Sequence, residues 1–218
     1  MTSVATPSAL DLRDLTITTA IGYAVTEALD GLSEGDTLDV RVGDVPAVLT
    51  DLQTWAAATG RELTVIPGDR GERRLRLTKH VPVTEPRHVA MVISEAGLEE
   101  SLSPYSFALA AALEGARVSL YIQGPAVRHL RPGYRPTLPW PMRPFSRFAR
   151  RGLESSGHVA PIEKLRQIQH LGGRIYACGP SMGHFGVDPS DLALEDVTVC
   201  EYLTFMAVMQ EADVQLYP

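Results

Sequence analysis

Along residues 8–79 the apolar positions switch between two spacings. Leu10-Asp11-Leu12-Arg13 alternates as a strand does. Ile21, Val25, Ala28, Leu29 and Leu32 then recur at helical spacing, with Thr18 or Thr19 placed to cap the helix and Gly31 or Gly35 to end it. Thr37-Leu38-Asp39-Val40-Arg41-Val42 returns to period two. Val48, Leu49, Leu52 and Trp55 mark a second amphipathic helix over residues 46–59, stopped by Gly60. Residues 62–66 and 73–78 read as two strands across a Gly-Asp-Arg-Gly turn. This βαβαββ order predicts an α+β domain of two layers, with both helices on one face of a sheet.

Residues 87–218 follow another pattern, strand and helix in alternation. Val89-Ala90-Met91-Val92-Ile93 is continuously apolar, as a strand covered on both faces must be. Ser103 is placed to cap a helix with Pro104 in its first turn and Gly115 at its end. Residues 118–122 form the next strand. Pro161 opens a helix that stops at Gly172-Gly173, and residues 174–177 lead into Cys178 as a third strand. Residues 197–199 lead into Cys200 as a fourth. A helix over 201–211 precedes a fifth strand at 214–217. The fold class is therefore α/β in this half, a flavodoxin-like doubly wound parallel sheet of about five strands, ordered 2-1-3-4-5. The prolines at 82 and 86 predict a linker from His80 to Arg87.

Composition narrows the function. The chain has 218 residues, 21% of them charged and 44% hydrophobic, and a net charge of −6, which argues against a nucleic-acid partner. Residues 1–7 lack the pattern of a signal peptide, and no apolar run is long enough to span a membrane. Two cysteines, Cys178 and Cys200, exclude a disulfide framework and a four-cysteine zinc site, and suit a reducing cytoplasm. The six histidines have no ligand spacing, so no metal is expected.

One segment departs from the rest. Residues 128–151 hold seven arginines (128, 131, 135, 143, 147, 150 and 151), five prolines and no acid, with Tyr134, Trp140, Phe145 and Phe148 interleaved. The prolines forbid a regular helix through its first two thirds. Such a segment suits an acidic protein surface, peripheral contact with an anionic membrane, or single-stranded nucleic acid. The plainer reading is a solvated loop.

The strongest chemical candidate is Cys178-Gly179-Pro180-Ser181-Met182. A strand ends at the cysteine and Gly-Pro-Ser turns the chain into a helix. Reactive groups of open α/β sheets lie at the carboxyl ends of strands. Unpaired N–H groups at a helix start favour thiolate over thiol and would stabilise a persulfide anion. Gly179 lets the backbone approach closely, Ser181 offers a hydroxyl, and His184 lies six residues beyond the cysteine. The plainer reading of Cys178 is a small buried hydrophobe. Cys200 ends the neighbouring strand. It could resolve a persulfide as a disulfide, or be a packed core thiol.

Residues 88–218 resemble the DsrE/DsrF-like family of sulfur-relay proteins. The resemblance is carried by HVAMVIS, by Ala-Pro-Ile-Glu-Lys-Leu at 160–165, by Gly-Gly-Arg-Ile-Tyr-Ala-Cys-Gly-Pro-Ser-Met at 172–182, by Phe-Gly-Val at 185–187, and by Thr204-Phe205 with Glu-Ala-Asp-Val-Gln-Leu at 211–216. It implies a flavodoxin-like fold, homo-oligomers, and sulfur bound as a persulfide on Cys178. Residues 8–79 resemble a TusA (SirA-like) domain through LDLRDL at 10–15 and Gly35-Asp36-Thr37-Leu38. Where that family has Cys-Pro-x-Pro, this sequence reads Ile17-Thr18-Thr19-Ala20, without the carrier cysteine.

Together these imply a sulfur-relay protein, a possible sulfurtransferase needing no cofactor. Cys178 would act as carrier, with Gly179, Ser181, Met182, His184 and Cys200 in support. Its partners would be sulfur donor and acceptor proteins such as TusA-like or rhodanese-like carriers. The alternative is a non-catalytic binding or regulatory protein with a structural cysteine.

Overall fold

The computed structural model describes residues 10–69, 71–80 and 86–217. The linker expected around 80–87 and the residues read for a signal peptide lie mainly or wholly outside these. The chain divides into two compact units. One is Met1–Thr84 with Ser155–His158, and the other is Glu85–Glu154 with Val159–Pro218.

The first unit runs β1 (Leu10–Asp11), α1 (Thr18–Asp30), β2 (Thr37–Gly43), α2 (Pro46–Ala58), β3 (Leu63–Pro67) and β4 (Glu72–Thr78). The βαβαββ order is the one read from the apolar spacing. Its sheet is ordered β1-β2-β4-β3, with β1 parallel to β2 and the other pairs antiparallel. Ile21, Val25 and Leu29 of α1 and Val48, Leu52 and Trp55 of α2 are buried, as are Leu38, Val40 and Val42 of β2 and Leu75 and Leu77 of β4. The α1 cap differs from expectation. Ile17 is the N-cap residue and makes no side-chain bond, while the Thr18 hydroxyl donates instead to Asp51 at 3.0 Å. A carboxylate within reach of Thr18 outcompetes the helix's own amides. Buried Glu72 of β4 links the inner strands by accepting from Arg41 of β2 at 2.8 Å, and it also accepts from Arg13 at 3.1 Å.

The second unit runs β5 (His88–Ile93), α3 (Leu102–Leu113), β6 (Arg117–Ile122), a 3-10 turn at Gly124–Leu130, another at Arg143–Phe145, α4 (Ser146–Ser155), α5 (Pro161–His170), β7 (Arg174–Cys178), α6 (Gly179–Phe185), β8 (Val197–Cys200), α7 (Tyr202–Gln210) and β9 (Val214–Leu216). All five strands are parallel, so the doubly wound α/β class holds. The strand order does not match expectation. It is β8-β7-β6-β5-β9, or 4-3-2-1-5 within this unit, instead of 2-1-3-4-5. The first three crossovers all step in one direction. Right-handed connections therefore put α3, α5 and α6 on one face, and the long return to β9 puts α7 on the other. Third and fourth strands remain neighbours in both orders. Ser101, rather than Ser103, is the residue before α3.

The α7 face matters most. Alternate strand residues Ala90, Val92, Tyr121, Tyr176 and Cys178 point to it and pack with Phe205 and Met209 of α7. Tyr121 stacks on Phe205 with centroids 4.8 Å apart, and Tyr176 meets the same ring edge-on at 5.3 Å.

On the opposite face Lys164 of α5 is buried without a carboxylate. Its ammonium donates to Ser106 Oγ at 2.6 Å and to the Leu102 carbonyl at 3.3 Å on α3. Burial lowers its pKa from 10.5 to about 8. Between those values the unfolded chain holds a proton that the folded chain has released, so stability rises with pH through that window. At neutral pH both states are protonated and the burial cost is present in full. Lys164→Met removes that cost and two hydrogen bonds together. The expected net gain is about 1 kcal/mol at pH 7, after discounting a charge-burial cost of about 2 kcal/mol against the lost bonds. Urea unfolding at pH 7 and pH 10 measures it. Wild type should be more stable at pH 10 than the variant's own pH dependence accounts for. Parallel pH curves would remove Lys164 as the cause.

Candidate functional site

Cys178 is the last residue of β7 and the N-cap position of α6, with extended backbone (φ −71°, ψ 109°). Ile175 and Ala177 face the α3 side, which turns Tyr176 and Cys178 toward α7. The residue has no exposed surface. Burial pushes its thiol up. Against this act the Ser181 hydroxyl, the Tyr121 hydroxyl, the Ser181 backbone N–H and the Tyr202 hydroxyl, and the thiol ends below its ordinary value. Polar groups from three different elements, β6, α6 and α7, thus act on one thiol.

Each donor is positioned separately. Ser181 sits in the first turn of α6, and its Oγ accepts the Gly124 N–H at 2.9 Å. That bond leaves the hydroxyl hydrogen free to turn to sulfur. Gly124 follows β6 with φ +52°, a left-handed conformation that glycine adopts without strain. Tyr121 comes from β6. Burial, with the sulfur adding to it, pushes its phenol up, so it keeps its proton. Its Oη has no partner of regular hydrogen-bond geometry. A neutral thiol is a weak acceptor and a thiolate a strong one, so the same contact tightens once the sulfur ionises. Tyr202 opens α7, meets Tyr121 edge-on at 6.0 Å, and is the one half-exposed member of the group. Its phenol is pushed up, chiefly by the Cys178 charge.

Cys200 pairs with Cys178 in parallel register, which sets their Cα atoms about 4.8 Å apart on the same face. Both thiols are free. Burial, then the neighbouring Cys178 charge, raises the Cys200 thiol. The two sulfurs are therefore driven in opposite directions. The remaining expected residues are placed as follows. Met182 is buried, and its carbonyl accepts the N–H groups of Gly186 and Val187 to close α6. His184 is exposed, stands edge-on to Phe185, and is not among the groups that act on the Cys178 thiol. A Cβ on Gly179 would meet Val199 at 3.6 Å, an ordinary contact, so close approach does not demand glycine there. Nothing local in the sequence marks Tyr121 or Tyr202, and at Gly124 the Gly124-Pro125 pair after the second strand is a turn signal with no chemistry of its own.

The opposed shifts give a measurable consequence. Alkylation of Cys178 by iodoacetamide should show a pH midpoint below the ordinary thiol range, and that of Cys200 a midpoint above it. Peptide-resolved labelling over a pH series checks this. Equal midpoints, or Cys200 the lower, would contradict the site.

A thiol ending the third strand of a parallel sheet, followed by Gly-Pro-Ser into a helix, is the local pattern on which the resemblance rested. Residues 87–218 match the DsrE/DsrF-like family. The chain belongs to this family. No curated protein matches the chain. Among solved structures, the YchN protein from E. coli is similar at 13% identity, covering 62% of this chain and 100% of that chain, with a TM-score of 0.46. The family match spans the whole second unit outside its first two residues, including the arginine-rich segment. Among the described residues of this DsrE-type chain, no helix is long and apolar enough to cross a membrane. Nor does any group of three histidine, cysteine or acidic side chains stand together as a metal would need.

Proposed function

We propose that this chain is a sulfur-relay protein that holds sulfane sulfur as a persulfide on Cys178. The observation that carries the reading is a thiol at the end of β7 and the N-cap of α6, held below its ordinary value by Ser181, Tyr121 and Tyr202 despite its burial. The DsrE family is generally associated with sulfur relay, which points the same way. The Cys178 thiolate attacks the outer sulfur of a donor persulfide. A sulfur–sulfur bond forms at Cys178 as the donor's own sulfur–sulfur bond breaks, and the donor leaves as a thiolate. An acceptor thiolate then attacks the outer sulfur and Cys178 leaves. One sulfur atom moves in each step with no net oxidation, so the exchange needs no cofactor. The anionic outer sulfur gains the hydroxyl donors that the thiolate had.

Partners are read as protein carriers. Leu203 and Met206 of α7 are exposed beside Tyr202, an apolar surface of the kind a docking protein covers. A second copy of the chain could use the same surface in a homo-oligomer. Because Cys178 itself is covered, docking has to move a covering side chain, and Tyr202 is the half-exposed one. The first unit is read as a TusA-like domain without its cysteine, contributing contact instead of sulfur chemistry, in a reducing cytoplasm. One observation favours the alternative of a structural thiol in a binding protein, namely the complete burial of Cys178 within the α7 core cluster. Cyanolysis after incubation with polysulfide and removal of excess separates the two. A relay protein retains about one cyanolysable sulfur per chain, and a structural thiol retains none.

A further inference from the structure

The arginine-rich segment is folded, and it builds a groove. Its volume is about 640 Å³, and Arg128, Arg131, Arg135 and Arg143 line it together with the rings of Tyr134 and Trp140. No carboxylate lines it. Among the described residues no ion pair uses any of these four arginines, so their guanidiniums are uncompensated. Four such charges in one concavity repel one another and destabilise the free groove, unless an anion enters.

The walls are held in place. The Leu138 N–H donates to Ser146 Oγ at 3.0 Å, and that hydroxyl donates to the Arg143 carbonyl at 2.6 Å. The Arg150 guanidinium donates to the Pro136 carbonyl at 3.1 Å, and the Tyr134 hydroxyl to the Ala96 carbonyl at 3.3 Å. Arg128 lies over the Phe185 ring at 4.6 Å, which fixes its plane before any ligand arrives. Arg150 is thus spent on the backbone, while the four lining arginines are not. A loop held open by so many bonds around unpaired charge has the character of a preorganised site.

We infer that this groove binds a nucleoside polyphosphate. Four arginines ask for a ligand of several negative charges, and each guanidinium fork matches phosphate oxygens. The volume is in the range of small-ligand pockets and exceeds what one phosphate needs. The indole of Trp140, 83% exposed, has no partner ring and offers a stacking face for a base. The phosphate chemistry is shared by anionic lipid headgroups, and the exposed Phe145 and Phe148 nearby make that source worth an arm of the test.

Calorimetry on the full-length protein at low salt, with ATP, tripolyphosphate, adenosine and phosphatidylglycerol vesicles as separate probes, decides it. Saturable ATP binding is expected, with tripolyphosphate competing more weakly and adenosine silent. Arg131→Ser with Arg135→Ser should weaken ATP roughly ten-fold or more, and the corresponding lysine pair should recover part of it. Trp140→Phe should keep most of the affinity but lose the quenching of fluorescence by ATP. Circular dichroism of each variant establishes that it is folded. No ATP binding by wild type overturns the inference, as does an unchanged affinity in the folded double serine variant. Binding of phosphatidylglycerol vesicles without ATP overturns it in favour of a lipid headgroup.

Discussion

Cys178→Ser is expected to lose sulfur loading down to background, and Cys200→Ser to keep it. A serine hydroxyl occupies nearly the same space, so the β7–α6 corner survives, but oxygen forms no persulfide. The contrast with Cys200 follows from the surroundings of each sulfur. Ser181, Tyr121 and Tyr202 hold the Cys178 thiol below its ordinary value despite its burial. Cys200 has burial and a neighbouring negative charge, and both keep it protonated. Cyanolysable sulfur after polysulfide treatment should therefore fall to nothing in the first variant. It should remain at about one per chain in the second. Loading that disappears equally in both would mean that the pair acts as one unit.

The second large effect concerns the donors. Ser181→Ala and Tyr121→Phe each remove a hydroxyl that favours the ionised sulfur, and a hydrogen bond to a charged acceptor is worth about 1.5 kcal/mol, or about one pKa unit. Thiolate at neutral pH should fall about ten-fold per substitution. A more basic thiolate is intrinsically more nucleophilic, which recovers roughly half of that on a logarithmic scale. The double variant should then react with polysulfide or iodoacetamide about ten-fold more slowly at pH 7. It should react faster than wild type at a pH where both are fully ionised. That crossover is what distinguishes lost electrostatic support from simple distortion, which would slow the reaction at every pH. Tyr121→Phe has a further signature. It deletes a buried hydroxyl without a regular partner, so the folded state should gain about 1 kcal/mol while the chemistry suffers.

The parts of this site differ in how far they could be read from residues alone. Cys178 at a strand end was legible because the apolar run at 175–177 and the Gly-Pro turn are local signals. The period-two and helical spacings likewise located most elements to within a few residues. The order of the parallel strands was not legible, because buried strands such as residues 89–93 and 118–122 are apolar on both faces apart from Ser119. Nothing in them specifies which neighbour each takes. Tyr121 and Tyr202 reach the sulfur from 57 and 24 positions away, and only the register of β6 with β7 and the return of α7 across the sheet bring them there. Cap positions failed for a smaller reason. Thr18 and Ser103 are good caps by type, but Asp51 captures the first, and the second lies inside α3, which starts one residue earlier. The basic segment was legible as a charge anomaly. Its shape was not, since the groove depends on Ser146, Arg150 and Ala96 holding it open.

The central claim is that Cys178 carries sulfur, and peptide-resolved mass spectrometry of the polysulfide-treated protein tests it most directly. The expected result is a mass increase of one sulfur atom confined to the peptide containing Cys178, removed on addition of an acceptor thiol. Sulfur found on the Cys200 peptide instead, or no added sulfur on either peptide, would contradict it.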